Sequence, residues 1–153
     1  MKKSCLLATG LILLFVMAAI TSAQDLATKD ECVTKCKKAA SLIESMGFDA
    51  ARELLQSQDG EFRWKNTYVF IMDLNGTILT HPVKPTLVGQ AMLDLRDANG
   101  KMFIAEVLDV ARNNGDGWVE YMWPDATGKA TPKETYVYRI PDQEYIMCAG
   151  VYK

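Results

Sequence analysis

After its first two dozen residues, the chain carries hydrophobic residues at helical spacing. Thr28 followed by Glu31 forms a capping box, which is typical of a helix start. Small and apolar residues then recur at helical period as far as Met46, and Gly47 interrupts the pattern. A second helical piece follows and ends at Asp59-Gly60. The pattern therefore predicts a long amphipathic helix with one break.

Beyond this helix the pattern becomes that of β-strands. The apolar runs Tyr68–Met72 and Thr77–Thr80 flank Asn75-Gly76, which predicts a hairpin with a type I′ turn because both residues tolerate positive φ. A helix is predicted over Met102–Arg112, with its apolar residues on one face. Three more strands are then expected, over Trp118–Trp123, Glu134–Ile140 and Tyr145–Tyr152. This order predicts an α+β domain with about five antiparallel strands in one sheet.

The first 23 residues read as a secretory signal peptide and not as part of this domain. Lys2 and Lys3 precede the apolar run Leu6–Ile20, and Thr21-Ser22-Ala23 supplies small residues at the expected cleavage position. The alternative is an uncleaved N-terminal membrane anchor, because the run is near the lower length limit for crossing a bilayer. We expect cleavage, and therefore a periplasmic or secreted protein.

Charge and cysteine content narrow the function further. The chain has 17 basic and 19 acidic residues, and loss of the two leader lysines leaves a net charge of −4, which does not indicate a nucleic-acid surface. Lys35, Lys37 and Lys38 cluster on the first helix, and we interpret them as a solvated helix face. Cys32, Cys36 and Cys148 remain after cleavage, with one histidine in the whole chain, which makes a poor zinc site. The cysteines can be packed core residues, or two of them can form a disulfide in an oxidising compartment. The pairing stays open, and no metal or cofactor is expected.

The stretch Val69–Leu79, VFIMDLNGTIL, is similar to the first motif of the haloacid-dehalogenase phosphatases. Such an enzyme needs a nucleophilic Asp and a second Asp as general acid/base. Here Asp73 stands at the first position but Asn75 at the second, and a second strand follows where a helix would be needed. We therefore interpret Asp73 as a hydrogen-bond acceptor of the hairpin turn, and we expect no catalytic residues and no enzyme.

Four segments together resemble the single Cache domain, a PAS-like extracellular sensor domain of prokaryotes. They are WKNTYVFIMDLNGTILTHPVKPTLVGQ (Trp64–Gln90), DANGKMF (Asp97–Phe103), GDGWVEYMWP (Gly115–Pro124) and TYVYRIPDQEYIMCAGVY (Thr135–Tyr152). The resemblance implies that the long helix packs on one face of a PAS-like antiparallel sheet and that the other face holds a small ligand. It divides the chain into residues 1–23, a leader, and 24–153, one domain with a helical region at 24–60 and a sheet region at 64–153.

The resemblance also implies a function. We expect an exported sensory module that recognises a small organic ligand, with a short carboxylate as the first expectation, and that feeds signal transduction or uptake. Because the sequence stops at Lys153, directly after the last strand, a separate membrane-bound partner is expected to receive the signal. A homodimer through the N-terminal helix is a further expectation. The alternative is a structural or interaction domain whose pocket is filled by its own side chains.

The candidate ligand contacts are aromatic residues of the sheet and a few polar residues near them, since small-molecule sites combine apolar walls with a few aimed polar groups. Alternation along a strand places Tyr121 and Trp123 on one face and Trp118 on the other. For each aromatic residue, plain sheet core is the competing interpretation. Lysine can pair with a carboxylate as a charge-assisted donor. The complete set of candidates is Tyr68, His81, Lys84, Trp118, Tyr121, Trp123, Lys133, Tyr136 and Tyr138.

Overall fold

The computed structural model describes residues 25–153, so the predicted leader at residues 1–23 lies outside the described residues. The helices are α1 (Lys29–Met46), α2 (Phe48–Gln56) and α3 (Phe103–Asn113), with a short 3-10 helix at Pro85–Leu87. The strands are β1 (Arg63–Trp64), β2 (Thr67–Asp73), β3 (Ile78–Thr80), β4 (Asp116–Pro124), β5 (Ala130–Arg139) and β6 (Tyr145–Tyr152).

All strands described belong to one antiparallel sheet with the order β1-β2-β6-β5-β4, and β3 pairs with β2. The predicted α+β class with a helix before an antiparallel sheet is confirmed. The sheet has six strands and not five, because two residues at Arg63–Trp64 pair with Thr67 and Tyr68. The strand that opens the long hairpin and the last strand of the chain, β2 and β6, therefore lie side by side in the middle of the sheet.

Helix α1 covers one face of the sheet. Its capping box forms as predicted: the Thr28 side chain accepts the Glu31 N–H, and the Glu31 carboxylate accepts the Thr28 N–H. Gly47 separates α1 from α2, as the sequence indicates. The apolar stripe of α1 is buried against alternate residues of the central strands. This core contains Cys32, Cys36, Ala39, Ala40, Ile43, Val69, Ile71, Tyr136, Met147 and Ala149.

The opposite face of the sheet is covered by α3 and the loops between β3 and α3. Because side chains alternate along a strand, the residues between those that face α1 point to this second core. It contains Tyr68, Phe70, Met72, Phe103, Ile104, Val107, Leu108, Val119, Tyr121, Val137, Ile146 and Cys148. The sheet thus has two separate buried faces.

The hairpin after β2 forms where the sequence predicts it, but the type I′ turn is wrong. Gly76 has φ +79°, whereas Asn75 is absent from the described non-glycine residues with positive φ. The Gly76 N–H donates to the Asp73 carbonyl at 3.0 Å, and the Asp73 N–H donates to the Thr77 carbonyl at 3.0 Å. These bonds define a type I turn followed by a left-handed glycine, the next most common hairpin connection.

Asp73 is confirmed as an acceptor of this turn. Its Oδ1 accepts the N–H groups of Asn75 at 2.8 Å and Thr77 at 2.9 Å. The same arrangement recurs at Asp97–Lys101 and at Asp125–Lys129, where each aspartate accepts the N–H groups two and four residues ahead. The aspartate of the phosphatase-like motif is therefore one of three equivalent turn residues.

The three cysteines among the described residues are free and buried. Cys32 and Cys36 lie in the core beneath α1, whereas Cys148 belongs to the core on the opposite face. Burial is the main cause that raises the pKa of Cys32 to about 12 and the pKa of the other two thiols well above the ordinary value. The geometry fits the interpretation of these cysteines as packed thiols, because a bridge to Cys148 would have to cross the sheet.

None of the helices within residues 25–153 combines the length and the hydropathy needed to span a bilayer.

Replacement of Gly76 tests the turn. We expect the positive φ alone to make Gly76→Val lower the free energy of unfolding by about 1–2 kcal/mol. A further loss should come from packing, because the added Cβ would lie 3.2 Å from Ile104 Cγ2. Gly128→Val is the matched control, since Gly128 occupies the same turn position at φ +85° with no atom within 4 Å of its Cβ. Urea unfolding should rank Gly76→Val as the more damaging change. Equal losses would contradict the packing part of the prediction.

Candidate ligand-binding site

A small cavity lies between the sheet and the layer formed by α3 and the loops. Its volume is about 20 Å³, which holds about one water molecule. A larger opening of about 120 Å³ lies on the other side of Tyr68, next to Lys84 and Tyr152. The walls of the small cavity are mainly apolar and aromatic: Tyr68, Phe70, Ile78, His81, Leu87, Met92, Leu95, Phe103, Ile104, Tyr121 and Trp123.

Lys133 is the only fully buried lysine of the described chain, at 0% exposure, and it projects from β5 to this side of the sheet. Its neighbours on the adjacent strands are Tyr121 and Tyr152. Its Nζ lies 4.4 Å from the ring centre of Tyr68 and 4.9 Å from that of Tyr152. Within residues 25–153, no hydrogen-bond acceptor reaches this nitrogen. The two rings offer cation–π attraction but no hydrogen bond and no negative charge.

The surroundings of Lys133 oppose its charged form. Burial, the largest cause, and the neighbouring charge of Lys84 lower the pKa of Lys133 from 10.5 to about 7. The thiols of Cys32 and Cys148 act in the opposite direction and raise the pKa of Lys133. Those thiols have raised pKa values of their own and stay neutral near pH 7. The amine therefore has no negative partner at neutral pH among the described residues.

Gly150 makes the space through which the Lys133 side chain passes. It lies on β6 opposite Thr135 and on the same face as Lys133. A Cβ added to Gly150 would lie 2.7 Å from Lys133 Cε and would also collide with Thr135 Oγ1. Thr135 Oγ1 donates to the Tyr121 hydroxyl at 3.0 Å, which fixes the wall beside the lysine. The position of the amine thus depends on a residue without a side chain.

His81 supplies a neutral donor. It is 2% exposed, and its ring lies 4.7 Å from the ring of Tyr68 and 5.6 Å from that of Phe70. Its Nδ1 accepts the N–H of Lys84 at 2.9 Å, so the ring carries its proton on Nε2 when neutral. Burial, followed by the charges of Lys133 and Lys84, lowers the pKa of His81 to about 3. His81 therefore contributes an N–H and no charge at neutral pH.

Trp123 and Lys84 close the outer side of the cavity. The Trp123 Nε1–H donates to the Tyr68 hydroxyl at 3.2 Å, and Lys84 Nζ lies 4.6 Å from the Trp123 ring centre. Both residues also line a surface groove of about 300 Å³ outside the cavity. No cluster of three or more His, Cys, Asp or Glu side chains suited to a metal ion occurs within residues 25–153.

A family model described as the Cache domain matches residues 23–153. The chain belongs to the Cache domain family. The sensor histidine kinase MctS of Rhizobium johnstonii is 32% identical over 89 residues, which are 58% of this chain and 19% of the kinase. This chain thus spans less than a fifth of the length of the curated relatives it matches.

Solved structures of Cache and chemotaxis proteins share the fold. A methyl-accepting chemotaxis protein of Vibrio parahaemolyticus superimposes with a TM-score of 0.69 at 25% identity, covering 81% of this chain and 87% of that one. A Cache chemosensory domain described for carboxylic acid recognition gives a TM-score of 0.66 at 24% identity, covering 80% and 91%. The sequence-based assignment to the PAS-like Cache fold is therefore confirmed.

In this Cache domain the nine predicted contacts separate into two groups. Tyr68, His81, Tyr121 and Trp123 line the cavity, and Lys133 and Lys84 adjoin it. The structure does not place Trp118, Tyr136 and Tyr138 at the cavity, because they alternate to the face covered by α1 and pack with its core. There Lys29 lies over the Trp118 ring at 4.5 Å. We remove these three residues from the candidate site.

Several residues near the cavity were not predicted from the sequence. Tyr152 and Gly150 adjoin Lys133 from β6, and Phe103 stacks on Tyr121 with ring centres 4.1 Å apart. The register of β5 and β6, which pairs Lys133 with Tyr152, is what brings the first two to the site. A strand pattern gives the face of each residue but not its partner across the sheet. Phe103, as an apolar residue of α3, carries no signal that separates it from ordinary core.

Replacement of Lys133 by methionine should stabilise the ligand-free protein near neutral pH, because it removes a buried amine without a partner. The lowered pKa of Lys133, about 7 against 10.5, means that the native state binds fewer protons than the unfolded state between these values. The parent therefore loses stability as pH falls through this window. Between pH 8.5 and pH 7, we expect the free energy of unfolding of the parent to fall by about 1.5 kcal/mol relative to that of Lys133→Met.

Chemical denaturation at both pH values checks this expectation. Lys129→Met is the matched control, since Lys129 is an exposed lysine of the β4–β5 turn. Its difference from the parent should not change with pH. A difference between Lys133→Met and the parent that is equally flat would contradict the prediction.

Proposed function

We propose that the chain is an exported sensory module that binds a short carboxylate beside Lys133 and passes its ligand state to a separate membrane-bound partner. The observation that carries the proposal is the buried Lys133 amine, which has no acceptor within residues 25–153. Burying an unpaired charge is costly, and an anion at this position supplies the missing partner. A ligand carboxylate can also accept the Nε2–H of His81.

The size and polarity of the site favour a short, mainly apolar acid. The cavity walls are largely hydrocarbon and aromatic, so the remainder of the ligand has to be apolar or weakly polar. The space of about 20 Å³ is small, so the ligand needs either very few atoms or the removal of the Tyr68 ring from between the cavity and the larger opening. These features support a carboxylate of a few carbon atoms.

The relatives support the sensory part of the proposal. MctS is named as a sensor histidine kinase, and the structural neighbour from Vibrio is a chemotaxis protein. The apolar leader supports export of this domain. One structural neighbour is described as recognising a carboxylic acid, but that domain is only 24% identical to this chain. At this identity the likeness supports the fold and not the ligand. The choice of a carboxylate here therefore rests on Lys133.

A structural domain with a filled pocket is the second candidate, and the small cavity volume favours it. The buried amine argues against it. A core built for stability alone gains from an apolar side chain at position 133, whereas a lysine without an anion lowers stability. A homodimer through α1 remains a prediction. The apolar stripe of α1 is already used against the sheet, so a dimer would have to use its exposed face.

Catalysis is the least supported function. Asp73 Oδ1 is occupied by two backbone N–H groups, and Asn75 cannot act as a general acid at the second position of the motif. We propose that the domain binds its ligand without changing it.

Asp73→Asn tests this interpretation of the motif. The asparagine Oδ1 can accept the same two N–H groups, so the free energy of unfolding should fall by less than about 1 kcal/mol and binding should be retained. Phosphate release from p-nitrophenyl phosphate with magnesium should be at background in both proteins. Activity in the parent that disappears in Asp73→Asn would show that the motif is catalytic.

A thermal-shift screen with formate, acetate, propionate, lactate and pyruvate tests binding of a carboxylate. A ligand at a hundredfold excess over its dissociation constant adds about 2.7 kcal/mol, which raises the melting temperature by several degrees. We expect His81→Ala and Lys133→Ala to weaken the binding of the best acid at least tenfold, since each removes a buried donor.

Lys129→Ala serves as the exposed control and should bind as the parent does. Acetamide and propionamide serve as uncharged ligand controls. If both buried variants bind the acid with parental affinity, the assignment of an anion site is wrong. If none of the acids shifts the melting temperature, the structural candidate gains.

A further inference from the structure

The groups around Lys133 determine whether its amine is charged when an anion binds. The following inference rests on the proposed function. The groups that face its Nζ come from every element packed against it. The rings of Tyr68 on β2 and Tyr152 on β6 lie at 4.4 and 4.9 Å, and Tyr121 is its neighbour on β4. His81 and Lys84 follow β3, Cys148 lies on β6, and the Cys32 thiol of α1 acts on Lys133 from the other side of the sheet.

None of these groups supplies a negative charge at neutral pH. Burial raises the pKa of Tyr152 to about 12 and the pKa values of Tyr68 and Tyr121 well above the ordinary range. The thiols are neutral for the same reason. His81 is neutral because its pKa is about 3, and Lys84 adds a positive charge. The free site thus opposes a second positive charge and offers no group to compensate it.

We propose that the site takes up its carboxylate together with one proton: Lys133, buried between two tyrosine rings with no acceptor at its Nζ, is a neutral amine in the free protein and an ammonium in the complex. The proton comes from solvent and adds to the Nζ lone pair, while the carboxylate stays ionised and accepts the new N–H. No bond to carbon forms or breaks. The bound anion cancels the charge that the empty site excludes, so anion and proton stabilise each other.

The consequence is a sensor whose sensitivity depends on the acidity of its surroundings. Below neutral pH, Lys133 is already protonated and affinity should be constant until the ligand carboxylate itself is protonated. Above neutral pH each ligand has to bring a proton with it, so affinity falls by up to tenfold per pH unit. A short acid would be detected best where it acidifies the medium.

Isothermal titration of the protein with formate, acetate, propionate, lactate and pyruvate tests the proposal. At pH 8, in two buffers of different ionisation enthalpy, we expect the observed enthalpies to differ by an amount equal to uptake of about 0.9 proton. The dissociation constant should be roughly tenfold higher at pH 8 than at pH 6. The uncharged control acetamide should show neither effect. Binding of an acid without proton uptake would overturn this inference and leave the carboxylate site standing.

A second measurement tests the free protein and needs no ligand. In lysine-labelled protein, the Cε resonance that is missing from Lys133→Met should titrate with a midpoint near neutral pH. The resonance that is missing from Lys129→Met, at an exposed lysine, serves as the reference signal. Adding the bound acid should move the Lys133 midpoint upward by at least two pH units. A Lys133 resonance that stays in its charged position from pH 6 to 9 in the free protein overturns the inference, even if no acid binds.

Discussion

The arrangement of the ligand side of this domain depends on one buried amine without a negative partner. Lys133 lies between two tyrosine rings, with Nζ 4.4 Å and 4.9 Å from their centres. Desolvation favours the neutral form of its amine, and no acceptor of the described chain stabilises the charged form by a hydrogen bond. Gly150 leaves room for its stem, and Thr135 fixes the wall beside it. A site that is unfavourable for a cation when empty gains most from an anion, and this is the physical basis of the proposed acid binding.

The sheet separates this polar arrangement from a second core that is almost entirely apolar. Residues of β2 and β6 alternate between the two, so that Tyr68 adjoins the cavity while Val69 packs beneath α1. Cys148 and Ala149 divide in the same way. Because packed cores do not deform continuously, a movement of β2 or β6 at the cavity also changes the packing of α1. Helix α1 therefore rests on the strands that contact the candidate site.

Much of this fold follows from local sequence rules. Helical period, the capping box at Thr28 and the hairpin at Asn75-Gly76 predict the elements, and the resemblance to Cache domains implies an antiparallel sheet with the long helix on one face. The turn type was wrong because Asn75 tolerates positive φ without requiring it, and the Asp73 side chain instead holds the turn through two N–H groups. Local composition permitted both turns, and the hydrogen bonds of one aspartate decide between them.

The site was less predictable than the fold, because it depends on register across the sheet. Alternation correctly separated Trp118 from Tyr121 and Trp123, but the sequence does not tell which face is covered by α1. Tyr136 and Tyr138 share the α1 side, while Lys133 and Thr135, their neighbours in the same strand, lie on the opposite side, against Tyr68 and Tyr121. A lysine in a strand usually indicates a solvent-facing position. Lys133 is instead fully buried, since Tyr68 and Tyr152 help to exclude water from its amine. The sequence alone predicts an exposed amine at this position.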